Sequence, residues 1–352
     1  MLDRPLGMEK QKNGVMNGTR AQVGVGGFLS RNTVGKPMAS LSVEIAGLKL
    51  DNPFILASGV WGETGATLAR ALKAGAGAVV TKSIGVEPRP GYANPTVVEL
   101  ETGLLNAMGL PNPGIEAYGE EVNEALAPGK PVIGSIFGAD ADEFVLLARK
   151  MEKYGVHALE LNLSCPHAKG YGAQIGQSPE LTQKITAAVR AAVALPVFPK
   201  LTPNVASIAE LARAAEAGWA SGVCAINTLK GMAIDLELAR PILANRTGGY
   251  SGPGIKPVGL CAVYEIHNAV KLPIIGMGGI SSGADAAEYM MAGASAVQVG
   301  TVVTVRRDRT FRTLSKELER FLVSHKYRSV GELVGKAHGT DAAGGATPKG
   351  GK

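Results

Sequence analysis

Eight short apolar runs, separated by helix-like stretches, constrain the fold of this chain more than any other feature of its sequence. Each run is a few residues long and rich in branched side chains, as are strands buried on both faces of a parallel sheet. The runs are Phe54–Ala57, Ala78–Thr81, Val132–Ile136, Ala158–Leu163, Val197–Leu201, Gly222–Ile226, Ile274–Met277 and Ala296–Val299. Eight strands with helical crossovers predict a closed (β/α)8 TIM barrel. A doubly wound open sheet is the alternative, but it usually has fewer strands and a Gly-rich loop after the first.

The stretches between the runs carry helix signals. They are Glu63–Ala74, Asp140–Tyr154, Ser178–Val193, Ser207–Ala217, Pro257–Val270 and Ala284–Ala292. Ser178 followed by Pro179 predicts a helix start, because a capping side chain precedes proline at the first turn. The dipeptides Ala74-Gly75, Ala217-Gly218 and Ala292-Gly293 predict helix ends.

The chain has 352 residues, which leaves room for extensions around one barrel of about 250 residues. Residues 1–40 are rich in Gly, Asn, Lys and Arg without periodicity, so we predict a flexible arm there. We predict the barrel over residues 41–334 and a flexible tail over residues 335–352. The gap from Gly85 to Gly129 is much longer than a plain crossover, and we predict that it carries a loop covering the active site.

Composition and charge exclude several classes of function. The net charge is +6, from 36 basic and 30 acidic residues, without a dense basic run interleaved with aromatics, so we predict no nucleic-acid binding. Three cysteines fit a reducing compartment, and their wide spacing predicts neither a disulfide framework nor an iron–sulfur cluster. No apolar run reaches about 18 residues and no signal-peptide core is seen, so we expect a cytoplasmic protein without a membrane span.

Polar residues follow the predicted strands, and in a barrel the carboxyl ends of the strands meet on one face. They are Ser58, Gly59, Lys82, Ser83, Ser135, Asn162, Cys165, Lys200, Thr202, Asn227, Thr228, Gly278, Gly279, Gly300 and Thr301. Such a ring suits a polar, planar ligand held beside an anion.

The glycine turns and the lysines indicate the anion. Gly276–Ile280 and Gln298–Thr301 follow the seventh and eighth strands, where these barrels often bind phosphate, although two ordinary tight turns would look similar. Lys82 and Lys200 end two strands, and buried lysines need a partner. Three alternatives are open. The lysines bind an anionic or electron-rich ligand, they pair with an internal carboxylate such as Glu160, or one of them is a Schiff-base nucleophile, as in an aldolase.

Cys165 stands where the fourth apolar run ends, because Pro166 cannot continue a central strand. A buried structural cysteine is the plain alternative. The polar neighbours Asn162, Ser164 and His167 favour a reactive thiol instead. A thiol stabilised as thiolate by nearby cations can act as a base toward a carbon acid. One Cys and one His two residues apart do not form a recognised metal site, so no metal is predicted.

From about Leu41 to Thr304 the chain resembles the flavin-dependent dihydroorotate dehydrogenases. The likeness is greatest to the cytosolic, cysteine-base subclass (subclass B, catalytic subunit) in its archaeal form. It rests on nine motifs in the family's order. They are Ala57–Gly59, Thr81–Ser83, Asn106–Leu110, Asn162–Pro166, Lys200–Asn204, Ile226–Met232, Ser251–Pro257, Gly276–Ile280 and Gln298–Thr301.

The resemblance implies an FMN-containing barrel that oxidises dihydroorotate to orotate in pyrimidine biosynthesis. Cys165 would take the proton from C5 of the substrate while a hydride leaves C6 for the flavin, which carries the redox chemistry. The implied substrate contacts are Lys82, Asn106, Met108, Gly109, Leu110, Asn162, Asn227 and Thr228. The implied FMN contacts are Ser58, Lys82, Ser83, Asn162, Lys200 and Ile226, with the phosphate at Gly252, Gly278, Gly279, Gly300 and Thr301.

The sequence departs from the family pattern at His167 and Ser135, where the family commonly has Asn. The resemblance also implies a partner subunit that carries FAD and an iron–sulfur cluster and passes electrons to NAD, in a homo-oligomer or heterotetramer. The electron acceptor stays open.

Three other functions compete with dihydroorotate oxidation. One is a related flavin barrel acting on another dihydropyrimidine. Another is a non-redox aldolase or isomerase that uses Lys82 or Lys200. The last is a binding or scaffold protein that keeps the barrel without catalysis.

Overall fold

The computed structural model describes residues 39–164 and 175–339. Its strands are β1 (Val43–Ile45), β2 (Leu48–Leu50), β3 (Phe54–Leu56), β4 (Ala78–Val80), β5 (Val97–Leu100), β6 (Gly103–Asn106), β7 (Val132–Ile136), β8 (Ala158–Asn162), β9 (Val197–Leu201), β10 (Val223–Ala225), β11 (Leu229–Gly231), β12 (Ile234–Asp235), β13 (Arg240–Pro241), β14 (Gly248–Ser251), β15 (Ile274–Met277) and β16 (Ala294–Val299). Its α-helices are α1 (Gly65–Lys73), α2 (Gly119–Leu126), α3 (Ala141–Lys153), α4 (Pro179–Ala192), α5 (Ile208–Ala217), α6 (Lys256–Ala269), α7 (Gly283–Met291), α8 (Thr301–Arg306) and α9 (Thr310–Ser324).

Eight parallel strands close into a barrel in the order β3, β4, β7, β8, β9, β10, β15, β16. Each of the eight predicted apolar runs contains one of these strands, so the predicted (β/α)8 barrel is confirmed. The closed ring also excludes the doubly wound open sheet. The apolar runs had no alternation because barrel strands are covered by helices outside and by packed side chains inside.

Helix boundaries follow the capping signals. Thr64, Asp140, Ser178, Ser207 and Ser282 each precede a helix and accept a hydrogen bond from a backbone N–H of its first turn. Such caps satisfy donors that the helix itself leaves unpaired. The six predicted helices correspond to α1, α3, α4, α5, α6 and α7.

The predicted loop between residues 85 and 129 is instead a hairpin followed by a barrel helix. β5 and β6 pair with each other, β6 pairs with β14, and β14 pairs with β11, which gives a four-stranded antiparallel sheet. Its second half comes from a further excursion between β10 and α6. The helix α2 then serves as the crossover between β4 and β7. The insertion that the long gap predicted is therefore present, and it takes the form of a strand hairpin and a helix.

The chain at both ends of the barrel is ordered into further elements. The hairpin of β1 and β2 directs Ile45, Leu48 and Leu50 against the side chains that fill the barrel interior. Because β2 leads directly into the start of β3, this hairpin closes the amino end of the barrel. Residues Lys336–Gly339, at the start of the predicted tail, form a 3-10 turn. Within the described ranges, no helix has the length and apolar character needed to span a membrane.

Candidate active site

A cavity of about 770 Å³ lies at the carboxyl ends of the barrel strands. That size falls within the range of roughly 300–1,000 Å³ that is typical of small-molecule sites. Within the described ranges, every substrate and FMN contact implied by the resemblance lines it except Gly109, whereas Ser135 and Thr202 of the strand-end ring do not. The implied contacts that line it are Ser58, Lys82, Ser83, Asn106, Met108, Leu110, Asn162, Lys200, Ile226, Asn227, Thr228, Gly252, Gly278, Gly279, Gly300 and Thr301. Gly109 is packed so closely on Tyr92 that a Cβ there would lie 2.7 Å from the Tyr92 backbone nitrogen.

Hydroxyl and amide side chains on or shortly after five barrel strands, β3, β4, β7, β8 and β10, form one hydrogen-bonded chain. The Ser83 hydroxyl lies 3.3 Å from that of Ser58 and 2.9 Å from that of Ser135. Asn162 donates to Ser83 Oγ at 3.1 Å, and Asn227 donates to Asn162 Oδ1 at 3.5 Å. Ser135 is fully buried behind Ser83 and does not line the cavity. The chain fixes the orientation of amides that present donors and acceptors to a ligand.

Lys82 follows β4 and is nearly buried, with 7% of its surface exposed. Its ammonium group donates to Glu63 Oε1 at 3.2 Å, and the Glu63 side chain is 69% exposed. The backbone N–H of Lys82 also donates to the Gly62 carbonyl, so the segment before α1 braces this lysine. Lys82 is therefore a buried cation paired with the solvent-exposed carboxylate of Glu63.

Lys200 on β9 is also nearly buried, at 5% exposure. Its ammonium group lies 3.3 Å from Oε1 of Glu160, the internal partner that the sequence suggested, and the Glu160 side chain is fully buried. Side chains alternate along a strand, and Phe198, two residues before Lys200, packs in the barrel interior. Lys200 therefore points inward, between the barrel core and the cavity. An amine in an ion pair is suited to binding rather than to nucleophilic attack, which disfavours the Schiff-base alternative.

Glycines form tight turns on another part of the cavity wall. Gly252 and Gly279 have φ of +103° and +73°, a region that favours glycine. A Cβ on Gly279 would lie 2.8 Å from the Gly252 carbonyl oxygen and 2.8 Å from the Lys256 nitrogen. The turn after β15 is also held from behind, because the Tyr289 hydroxyl donates to the Gly278 carbonyl at 2.6 Å. Burial raises the pKa of Tyr289, so this hydroxyl keeps its proton as a donor.

A carboxylate fixes the rest of that turn. Asp285 accepts from the backbone N–H groups of Ser281 and Ser282, both at 2.8 Å, and from Lys256 Nζ at 2.7 Å. Burial alone would raise the pKa of Asp285, but the hydrogen bonds from Lys256 and Ser281 lower it overall. Both Ser281 and Ser282 line the cavity. The protein's own side chains thus hold this turn in place.

The antiparallel sheet supplies the remaining wall. Asn106 at the end of β6 donates from Nδ2 to the Gly249 carbonyl on β14 at 3.1 Å. Asn204 donates to the Thr228 carbonyl at 3.0 Å and so fixes the chain that follows β10. Two crossovers that lie far apart in the sequence therefore meet beside the barrel mouth.

Several lining residues were not predicted from the sequence. They include Trp61, Val97, Leu104, Ser251, Gln298 and Arg306. Ser251 accepts a hydrogen bond from Thr301 Oγ1 at 2.9 Å, which joins the sheet to the turn after β16. Ser251 and Gln298 stand inside quoted motifs. Gln298 lies within the eighth predicted strand, whereas Ser251 lies on β14, which was not predicted. The sequence carries no comparable signal for Arg306.

Cys165 and His167 lie outside the described residues. The preceding strand β8 ends at Asn162, and Ser164 is the last described residue before them. Asn162 lines the cavity and holds the backbone N–H of Ser164 at 3.3 Å.

Comparisons with known proteins identify the family. Residues 40–322 match the family model described as dihydroorotate dehydrogenase. The chain is 53% identical over 298 residues to a Pyrococcus furiosus protein named dihydroorotate dehydrogenase B (NAD(+)), catalytic subunit, covering 85% of this chain and 99% of that one. A protein of the same name from Methanocaldococcus jannaschii is 51% identical over 302 residues, covering 85% of this chain and 98% of that one. Another, from Thermoplasma acidophilum, is 48% identical over 300 residues, covering 85% of this chain and 99% of that one. These matches, over the barrel whose cavity is described above, show that the chain belongs to the dihydroorotate dehydrogenase family.

Proposed function

We propose that this barrel is an FMN-dependent catalytic subunit that oxidises dihydroorotate to orotate in pyrimidine biosynthesis. The observation that carries the proposal is the single cavity in which two buried lysines, a chain of amides and the glycine turns face the same space. Relatives that share about half of its residues over nearly their whole length are named for this activity.

The donor set fits a flavin with a phosphate group. At Gly252 and Gly279 a side chain would collide with the neighbouring backbone, which leaves the main chain free to approach an anion closely. Lys82 and Lys200 supply positive charge, and Ser58, Ser83 and Ile226 line the space beside them. FMN, when bound, supplies the two-electron acceptor.

The chain's own residues would bind the substrate and move one proton. We assign Lys82 and Asn162 to contact with both ligands. We assign binding of the substrate's pyrimidine ring and carboxylate to Asn106, Met108, Gly109, Leu110, Asn227 and Thr228. Cys165 takes the proton from C5 of dihydroorotate, and the thiolate is the form of its side chain that acts as the base.

We further propose a second subunit with FAD and an iron–sulfur cluster that passes electrons to NAD. The relatives' names support it, because they specify a catalytic subunit and NAD(+). A cytoplasmic location is proposed from the same relationship and from the cysteine usage.

Anaerobic flavin reduction tests the proposal. Protein loaded with FMN should lose its yellow absorbance on addition of dihydroorotate but not of dihydrouracil. Colourless protein that stays so with added FMN would refute the flavin assignment. Bleaching by dihydrouracil alone would favour the related dihydropyrimidine enzymes.

A cysteine pair tests the base. Cys165→Ala should keep bound FMN and reduce it roughly 10²–10⁴-fold more slowly, the usual contribution of a general base. Cys261→Ala is the matched control, because Cys261 is an exposed free cysteine that does not line the cavity. Normal reduction by Cys165→Ala would remove Cys165 from the mechanism.

A further inference from the structure

Glu160 is a completely buried carboxylate for which the proposed reaction has no use. It lies on β8 two residues before Asn162, so both side chains point into the barrel. Removing a carboxylate from water is costly unless it is paired and hydrogen-bonded. Its place in the barrel interior therefore calls for partners, and the structure supplies three.

Each partner donates to the carboxylate. Glu160 Oε1 lies 3.3 Å from Lys200 Nζ and 3.5 Å from Ser135 Oγ, and Oε2 accepts from Gln298 Nε2 at 2.7 Å. An ionised carboxylate only accepts hydrogen bonds, so it turns the NH₂ group of Gln298 toward itself. The other amide atom, Gln298 Oε1, is then buried without a partner among the described residues.

Glu160 reaches the cavity only through these partners. Lys200 and Gln298 line the cavity, whereas Glu160 does not. The fourth polar neighbour, Cys224, lies 3.5 Å from Gln298 Nε2. Burial and the charge of Glu160 raise the pKa of the Cys224 thiol, so it stays neutral. In the described part of this cluster, Glu160 is accordingly the negative charge that balances Lys200.

We propose that Glu160 is a positioning residue that holds Lys200 and Gln298 toward the bound flavin and, by balancing the Lys200 charge, sets the flavin's reduction potential. The inference rests on the proposed function, because it needs a flavin in the cavity. A flavin that takes up two electrons and one proton is an anion and carries one more negative charge than the oxidised flavin. An ammonium group without its counter-charge would therefore favour the reduced form, and Glu160 opposes that bias.

The test compares the midpoint potentials of FMN-loaded variants at pH 8, where a two-electron-reduced flavin is an anion. Glu160→Gln preserves the shape and removes the charge. We expect at least a tenfold shift of the redox equilibrium toward reduced flavin, which is about 30 mV for a two-electron couple. Cys224→Ala is the matched control, since it alters the same buried layer without changing its charge, and its potential should equal that of the unchanged protein.

A second variant covers the case in which Glu160→Gln does not fold. Glu160→Asp keeps the charge but withdraws the carboxylate from Lys200 and Gln298, so we expect a smaller shift in the same direction. A Glu160→Gln protein with the unchanged potential overturns the inference. If Glu160→Gln does not fold, an unchanged potential in Glu160→Asp overturns it equally, because the residue would then have only a structural role. If the unaltered protein binds no FMN, the proposed function fails, which is a different result from bound flavin at an unshifted potential.

Discussion

The two lysines of the cavity are alike in burial and opposite in the partner that each has. Lys200 is paired with Glu160, whose side chain has no exposed surface, and this carboxylate is held by two further donors. Lys82 is paired with Glu63, whose side chain is 69% exposed. One ion pair is built into the barrel interior, and the other reaches out of the cavity into solvent.

Because their partners differ, the two lysines are suited to different functions. A buried carboxylate cannot leave its lysine without stranding a charge, so Lys200 is fixed and fits a resident cofactor. An exposed carboxylate can return to water at little cost, so Lys82 is free to exchange Glu63 for an incoming anion. The carboxylate of dihydroorotate is such an anion under the proposed function.

The strongest test of this contrast is the stability of Lys200→Met. The variant leaves Glu160 buried without its counter-charge, and we expect a loss of about 3–5 kcal/mol in the free energy of unfolding. Denaturant unfolding of the flavin-free protein measures it. The double variant Lys200→Met/Glu160→Met is the control, because removing both charges should recover most of the loss. Equal stability of the single variant and the unchanged protein would contradict a fixed pair.

Lys82→Met should have the reverse profile. Its removal leaves only the exposed Glu63 unpaired, so the expected stability change is within about 1 kcal/mol. The loss of a charged hydrogen-bond donor to the substrate should instead raise the KM for dihydroorotate roughly tenfold to hundredfold. Lys130→Met is a matched control, since this lysine pairs with exposed Asp51 and does not line the cavity. A large loss of stability in Lys82→Met would contradict the proposed difference between the two lysines.

A third ion pair lies between these two extremes. The side chains of Lys256 and Asp285 are 28% and 12% exposed, and Asp285 also holds the turn after β15. We expect Asp285→Asn to cost about 1–2 kcal/mol near neutral pH. Thermal unfolding with and without FMN measures both the cost and the effect of the turn on flavin binding. A loss of stability as large as that of Lys200→Met would mean that burial of the carboxylate does not determine how much an ion pair contributes to stability.

We also expect the stability difference between the unchanged protein and Asp285→Asn to depend on pH. The pKa of Asp285 is lower in the folded protein than its usual value near 4. Its contribution is therefore fully present above about pH 4 and is lost as the pH falls through the lower folded pKa. The stability gap between the unchanged protein and Asp285→Asn should narrow below pH 4. A gap that widens in acid would contradict the sign.

The contrast also explains what the sequence could predict. The barrel strands were found because burial on both faces leaves uninterrupted apolar runs such as Val197–Leu201. Glu160 was named as a candidate partner because a buried lysine needs a counter-charge and Glu160 lies inside one of these runs. Glu63 was not, because an exposed acidic residue before a helix looks like any other surface residue. The antiparallel sheet was missed because its strands are short and half-exposed, and because β6 meets β14 across more than 140 residues of sequence.

The smallest expected effect belongs to Glu63→Gln, and it decides whether Lys82 does exchange partners. If dihydroorotate must displace Glu63, removal of the Glu63 charge should lower the KM by no more than about fivefold, the value of an exposed ion pair. The rate of flavin reduction at saturating substrate should stay the same, because Glu63 competes only for the free cation. Glu116→Gln is the control, since this exposed carboxylate pairs with Lys150 and does not line the cavity. A rise in KM would mean instead that Glu63 holds Lys82 in its binding position, and both lysines would then depend on their carboxylates in the same way.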